Sequence, residues 1–306
     1  MFEADMTSPA ESACATARDA GFSISFEVFP ARDAAARAAL ADLARRLAVY
    51  RPEFISVTYG AGGSSRESTL ETIAALRRAA PVPVAGHLTC ARASRAETMA
   101  VAERYLALGV ERIVALRGDP PRSENRFTPH PEGFASAREL VAALRARWPR
   151  LKISVAAYPE IHPESPSRAA DLANLAAKLD AGGDDALTQF FFDNRLFHDF
   201  LAAARAAGIE RPIIPGIMLI HDFFKVRNFA ARCRASVPPW LQARFAGLGP
   251  AEEDAVHRGL ADAWAVEQTL DLAAAGVRHF HFYTMNRADT AEIVCRALCL
   301  APDAAG

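Results

Sequence analysis

One carboxylate stands inside an otherwise apolar run, Gly21-Phe-Ser-Ile-Ser-Phe-Glu-Val-Phe-Pro30. Side chains along a strand alternate between faces, so Ser23, Ser25, Glu27 and Phe29 share one face while Ile24, Phe26 and Val28 share the other. Burial beside Phe29 favours the neutral form of Glu27 and raises its pKa, by up to ~3–5 units for a fully buried carboxyl. A carboxyl group so tuned donates a proton near neutral pH. A half-buried Glu paired with an arginine meets the same pattern.

Asp119 follows Ile113-Val-Ala-Leu116 in the loop Leu-Arg-Gly-Asp-Pro-Pro121, where Gly118 permits an unusual backbone angle and two prolines stiffen the exit. It is either an acid presented rigidly to a site or the partner of Arg117. Gln189, in Leu187-Thr-Gln-Phe-Phe-Phe-Asp193, carries a neutral amide among apolar neighbours. A buried amide needs partners, which backbone or a heterocycle can supply. Lys178 falls at a helix C-terminus, where the dipole favours a cation in any case. His279 and His281 have metal-ligand spacing on one strand face, but the other polar residues at strand ends make no metal set. Cys295 and Cys299, one helical turn apart, read as packed thiols. No Gly-x-Ser-x-Gly elbow or Walker loop occurs, so nucleophilic hydrolysis and nucleotide-driven phosphoryl transfer have no support.

The elements that must position these groups alternate along the chain. Strand candidates are Ser23–Phe29, Phe54–Tyr59, Val84–Thr89, Arg112–Arg117, Lys152–Ala157, Ala186–Phe191, Ile213–Ile217 and Arg278–Tyr283. Helical stretches lie at about 33–48, 66–79, 95–107, 134–147, 168–181, 196–207 and 222–233, followed by a long region at 238–275 and a last helix at 287–299. Strands separated by helices of this length imply β-α-β crossovers and a parallel sheet. Eight such units predict an α/β fold, a (β/α)8 TIM barrel in one domain over residues 21–302, preceded by an irregular tail at 1–20. A doubly wound sheet is the alternative, but Gly60-Ala-Gly-Gly-Ser-Ser65 follows the second strand and lacks the last glycine of a dinucleotide fingerprint. In a barrel, function gathers where strands end, which selects Glu27, Thr58, His87, Arg117, Asp119, Tyr158, His162, Gln189 and Tyr283 to Arg287.

Bulk composition agrees. With 35 basic and 36 acidic residues the net charge is −1, which argues against nucleic acid or an anionic membrane as the main partner. No apolar stretch approaches the ~18–20 residues that cross a bilayer. The first twenty residues carry acids and no basic or apolar signal region. Five cysteines without a C-x-x-C pair fit reduced thiols in a cytoplasmic protein.

Taken together the segments resemble 5,10-methylenetetrahydrofolate reductases of the short bacterial type. The resemblance is carried by Ser25-Phe-Glu-Val-Phe-Pro30, Phe54-Ile-Ser-Val-Thr-Tyr-Gly-Ala-Gly-Gly-Ser-Ser65, His87-Leu-Thr-Cys90, Leu116-Arg-Gly-Asp119 and Ala156-Ala-Tyr-Pro-Glu-Ile-His-Pro-Glu164. It continues in family order through Asp180-Ala-Gly-Gly183, Thr188-Gln-Phe-Phe-Phe-Asp193, Pro215-Gly-Ile217 and His281-Phe-Tyr-Thr-Met-Asn-Arg-Ala288. It implies a (β/α)8 flavoprotein with FAD across the strand C-termini, contacted by Thr58, His87, Arg117, Gly118, Asp119, Phe134, Ala135, Tyr158, His162, Asp171, Asn174 and Lys178. It further implies a folate site of Glu27, Asp119, Gln189, Phe229, Tyr283 and Arg287, with Glu27 the proton donor and Asp119 an electrostatic stabiliser. The implied reaction is ping-pong: NADH or NADPH reduces the flavin, then methylenetetrahydrofolate takes the hydride. A homo-oligomer is implied as well, while the adenosylmethionine-responsive domain of longer relatives is not expected. Val28, Ala31, Phe134 and Met218-Leu-Ile220 depart from the usual family residues. A flavin-free pterin-binding barrel serving methyl transfer, or a silent barrel that assembles with other one-carbon enzymes, are the other function classes. The flavin-side residues speak against the first, and Glu27, Asp119 and Gln189 against the second.

Overall fold

Each apolar run forms a parallel strand in the computed structural model, which describes residues 21–59, 66–119, 127–251 and 253–300. The tail at 1–20 and the glycine-rich loop at 60–65 lie outside the described residues. The strands are β1 (Ser23–Val28), β2 (Phe54–Val57), β3 (Val84–Thr89), β4 (Arg112–Leu116), β5 (Lys152–Ala157), β6 (Asp185–Thr188), β7 (Ile213–Ile214), β8 (Gly216–Met218) and β9 (His279–Tyr283). The helices between them are α1 (Ala34–Ala48), α2 (Arg66–Ala79), α3 (Arg95–Ala107), α4 (Ala137–Arg147), α5 (Arg168–Asp180), α6 (Asn194–Ala206), α7 (Phe223–Cys233), α8 (Pro239–Arg244), α9 (Ala255–Ala274) and α10 (Asp289–Ala297).

The strand order is β7-β6-β5-β4-β3-β2-β1-β9-β8, with parallel pairing throughout. The two outermost strands are halves of one interrupted segment. β7 pairs with β6 through Ala186↔Ile213, and β8 pairs with β9 through Gly216↔His281. Pro215 lies between them and has no N–H for a ladder, but its carbonyl accepts the His281 N–H at 3.0 Å. The expected single strand Ile213–Ile217 is therefore divided at the proline, and the division lets one segment join both edges of a (β/α)8 barrel. Gly216 makes the crossing tight: its N–H donates to Thr188 Oγ1 at 2.8 Å, and a Cβ there would collide with the Thr188 carbonyl oxygen and the Tyr283 ring.

Capping corrects two expected helices. The stretch 134–147 becomes helical only at Ala137, because Ser136 caps it by accepting the Glu139 N–H at 3.3 Å. The stretch 238–275 is two helices, since Gly247, Gly249 and Pro250 intervene and Asp254 caps α9.

Ile24, Phe26 and Val28 pack outward in the main core with Leu40, Leu43 and Leu47 of α1. The lumen holds a small apolar layer of Phe54, Ala85, Val114, Leu187 and Ile214. Barrel lumens are usually filled by branched apolar side chains. Here buried Ser25, Ser56, His87, Ser154 and His281 share that space. Buried polar groups carry a desolvation cost unless they bond to one another.

Candidate active site

Glu27 lies near the C-terminal end of β1, and the loop after β9 holds the backbone there. Thr284 donates to the Glu27 carbonyl through Oγ1 at 2.7 Å and N–H at 3.2 Å. Asn286 clamps the next residue but one, accepting the Phe29 N–H at 2.7 Å and donating to the Phe29 carbonyl at 3.2 Å. It does so from a left-handed backbone with φ of 62°, a conformation asparagine tolerates well.

The Glu27 carboxylate meets two imidazoles. Its Oε2 is 3.3 Å from His87 Nε2 and 3.6 Å from His281 Nε2. Burial is the largest influence on Glu27 and acts to raise its pKa. His87 and His281 together outweigh it and hold the carboxyl at about 2. The expected upward shift is corrected: alternation placed Glu27 in the lumen, but the lumen also supplies two basic rings. His281 is fully buried, and burial lowers its own pKa against the opposing pull of Glu27. The alternative of a structural Glu–Arg pair is not what forms.

An aromatic wall adjoins Glu27. Phe229 of α7 meets Phe29 edge-on at 6.4 Å between ring centroids and stacks on Phe190 at 5.8 Å. Phe190 meets Tyr283 edge-on at 5.9 Å. The Tyr283 hydroxyl donates to the Thr188 carbonyl at 2.7 Å, and burial followed by the Glu27 charge pushes its pKa well up. Gln189 is half-buried and its Oε1 accepts the Phe190 N–H at 3.1 Å, so its amide is partly satisfied by backbone.

A polar strip runs from β2 to α5. Thr58 is buried, and its Oγ1 has no hydrogen-bond partner among the described residues. Gly118, at φ 88°, brings the loop against Thr89 and Ala91 where no Cβ fits. Arg117 directs both guanidinium nitrogens to Glu164 at 2.7 and 2.8 Å rather than to Asp119, and its guanidinium covers Phe127. Asp119 is exposed, yet its charge helps raise the Tyr158 pKa behind the dominant effect of burial. Tyr158 meets the His162 ring edge-on at 4.7 Å, and the His162 backbone N–H donates to Asp171 at 3.3 Å. Lys178 is 5% exposed, donates to the Ala156 carbonyl at 2.5 Å and is lowered to about 8, burial outweighing the attraction of Asp171.

Not every expected residue joins these groups. Phe134 is buried under the Arg95 guanidinium at 4.8 Å, a packing role. Ala135 and Asn174 are exposed at the rim. Arg287 is exposed beside α1, where Asp42 and Arg46 border the same groove. Conversely Ser25 holds a partner of Glu27 without having been singled out, while Thr284 and Asn286, selected only within the strand-end stretch Tyr283 to Arg287, hold the backbone around Glu27. His281 was singled out only for its spacing from His279. The signal for Ser25 and His281 was strand alternation, since both fall on the Glu27 face of neighbouring strands.

The polar strip suits an anionic dinucleotide. A buried ammonium with one carboxylate nearby, an orphaned hydroxyl and a glycine loop are groups that pyrophosphate and ribose would satisfy. No group of three or more His, Cys, Asp or Glu positioned for a metal occurs among the described residues, and none of their helices is long and apolar enough to cross a membrane.

The parallel barrel thus carries an acid–imidazole cluster and an aromatic wall at its strand C-termini, the end at which barrel enzymes place their active sites. The family model described as methylenetetrahydrofolate reductase matches residues 13–299, and the chain belongs to that oxidoreductase family. It is 39% identical over 280 residues to 5,10-methylenetetrahydrofolate reductase from Salmonella typhimurium, covering 91% of each chain. It is 34% identical over 272 residues to methylenetetrahydrofolate reductase (NADH) 1 from Arabidopsis thaliana, covering 86% of this chain and 46% of the plant protein. An uncharacterised Clostridium thermocellum protein that binds two copies of 5-methyl-5,6,7,8-tetrahydrofolic acid shares the fold. Its TM-score is 0.62 at 12% identity, covering 94% of this chain and 97% of that one.

Proposed function

We propose that the protein reduces 5,10-methylenetetrahydrofolate to 5-methyltetrahydrofolate in the cytoplasm, with FAD as cofactor and NADH or NADPH as donor. Family membership supports the reaction, and the observation that carries the site assignment is Glu27 held between two imidazoles beside the Phe29–Phe229–Phe190 wall. FAD, when bound, accepts hydride from the nicotinamide and returns it to the folate methylene. Thr58, His87, Arg117, Gly118, Asp119, Tyr158, His162, Asp171, Asn174 and Lys178, with Phe134 and Ala135 at the margin, are the residues proposed to hold it. Lys178 supplies positive charge for the pyrophosphate, and Thr58 Oγ1 supplies a hydroxyl that has no other partner among the described residues.

The folate ring must open before it can be reduced, and opening requires a proton on the departing nitrogen. Glu27 is proposed to hand on that proton. Its carboxyl is only 13% exposed, so a ligand ring stacked above it removes its last water and strengthens the upward pull of burial. Gln189 and Tyr283 are proposed to bond the pterin edge, Asp119 to stabilise the developing cation, Arg287 to meet the distal part of the folate and Phe229 to cover either substrate. A homo-oligomer is part of the proposal. The deciding experiment reduces the purified protein anaerobically with NADH or NADPH in turn, then adds methylenetetrahydrofolate. Yellow absorbance bleached by the nicotinamide and restored by folate is expected. Colourless protein that takes up no added FAD would overturn the reading and favour a flavin-free pterin barrel.

A further inference from the structure

The lumen continues past Glu27 as a line of imidazole, hydroxyl and carboxyl groups. His281 Nδ1 lies 2.8 Å from Ser25 Oγ, and Ser25 Oγ lies 3.3 Å from His279 Nε2. His279 Nδ1 is 3.7 Å from Glu53 Oε1, which also accepts the Ser23 hydroxyl at 2.8 Å. Side-chain exposure along the line is 13% at Glu27, none at His281, 20% at His279 and 41% at Glu53. Both ends are wet and the middle is dry. The far end opens on a cavity of about 380 Å³ among Glu53, Phe54, Val84, Arg112 and Lys152, at the N-terminal mouth of the barrel. His281 Nε2 is buried, has no hydrogen-bond partner among the described residues and faces Glu27 at 3.6 Å.

We propose that Glu53, His279, Ser25 and His281 form a proton relay that reloads Glu27 from water at the barrel floor, opposite the substrate mouth. The inference rests on the proposed reductase reading, in which each turnover consumes one proton as an N–CH2 bond breaks and hydride adds to carbon. While a ligand covers the upper mouth, water there cannot resupply Glu27. A proton from the floor cavity binds His279 Nδ1 beside the Glu53 carboxylate, and His279 Nε2–H passes its own proton to Ser25 Oγ. The Ser25 O–H proton moves to His281 Nδ1, and the His281 Nε2–H proton moves to Glu27 Oε2. His279, Ser25 and His281 each give one proton and receive one, while the Glu53 carboxylate stabilises the incoming proton at His279 Nδ1. The end distances of 3.6 and 3.7 Å need a closure of about 0.5 Å to reach N–H···O bonding length.

The surroundings bias the line without blocking it. Burial lowers the His279 proton affinity, with His281 and Arg112 adding to the effect, while Glu53 and Asp185 oppose it. At His281 burial again lowers it, helped by His87, against Glu27 and Asp185. Arg112 is itself paired with Asp185 at 2.6 Å and lies over the Phe54 ring, which stacks on His281 at 5.7 Å. Ser25, His279, His281 and Glu53 touch no reacting atom and act only by positioning a proton.

The test uses Ser25→Ala and His279→Ala in the full chain. A positioned acid contributes about 10²–10⁴-fold, so each variant should slow the folate half-reaction at least about tenfold and displace its pH profile. The nicotinamide half-reaction, which needs no proton from Glu27, reports whether the protein is folded. Imidazole in the buffer should restore His279→Ala through the floor cavity but not Ser25→Ala. In the resting protein, ¹⁵N-imidazole spectra should show His281 responding to His279 titration, and Ser25→Ala should abolish that response. Wild-type folate rates and pH profiles in both variants would overturn the relay, as would equal losses in both half-reactions without rescue. If the wild-type protein reduces no methylenetetrahydrofolate, the functional reading fails. The ¹⁵N coupling then decides the relay alone, its absence from wild-type protein overturning it.

Discussion

Glu27 Oε2 lies 3.3 Å from His87 Nε2, across the lumen from β1 to β3. The contact joins the residue proposed to act on folate to one proposed to contact the flavin. Glu27→Gln keeps the shape and removes the transferable proton. Nicotinamide oxidation should stay near the wild-type rate, while the folate half-reaction should fall by about 10²–10⁴-fold. Stopped-flow measurement of the two half-reactions checks this, and equal losses in both would make Glu27 structural.

Lys178 gives a prediction that needs no turnover. Its pKa falls from 10.5 unfolded to about 8 folded, mainly through burial. Between those values the unfolded chain binds more protons, so stability should rise as pH increases from about 8 to about 10.5, by about 3 kcal/mol at most. Below pH 8 the cost of the buried ammonium is fully present. Denaturation of flavin-free protein across this range should show the rise, and Lys178→Met should flatten it. Pyrophosphate beside Lys178 favours the charged form, so FAD binding at pH 9 should take up protons. Calorimetry in two buffers of different ionisation enthalpy measures that uptake.

Much of this architecture was legible in the chain. Strand and helix periods gave eight β-α units because the strands are largely apolar and most of the helices carry one apolar face. The boundaries that moved were set by single residues whose effects are local. Ser136 captures the Glu139 N–H, and Pro215 withholds one from the ladder. Alternation put Glu27 on the inward face correctly but said nothing of what stood opposite. His87 and His281 arrive there from strands far off in sequence, so the direction of the Glu27 pKa was not readable from its own neighbours. The same long-range convergence hid the Ser25–His281 contact.

Gly216 tests the closure. Alanine there would drive a Cβ into the Thr188 carbonyl oxygen and the Tyr283 ring, and neither backbone nor a ring bonded at 2.7 Å yields easily. Gly216→Ala should destabilise by about 1–3 kcal/mol, the usual range for overpacking a dense interior. It should also displace Tyr283 and weaken folate binding more than flavin binding. Urea denaturation and separate titrations of the two ligands read these effects. An unchanged midpoint would mean that the strand crossing relaxes more freely than its packing indicates.

Thr58 separates a ligand site from a packing defect. Its buried Oγ1 has no partner among the described residues, whereas its backbone is fully engaged: the N–H donates to Val28 and the carbonyl accepts the Thr69 hydroxyl. A buried hydroxyl left unsatisfied costs about 1–3 kcal/mol. Thr58→Val removes that hydroxyl at nearly constant volume. If the hydroxyl serves only packing, the variant should gain stability and bind FAD as tightly as before. If it is held for the cofactor, the flavin-free variant should again be as stable as the parent or more so. FAD binding should then weaken by about tenfold, the loss of roughly one hydrogen bond. Melting temperatures of flavin-free protein, paired with FAD titrations by fluorescence quenching, distinguish the two. Stability gained without affinity lost would remove Thr58 from the flavin site while leaving the Lys178 prediction standing.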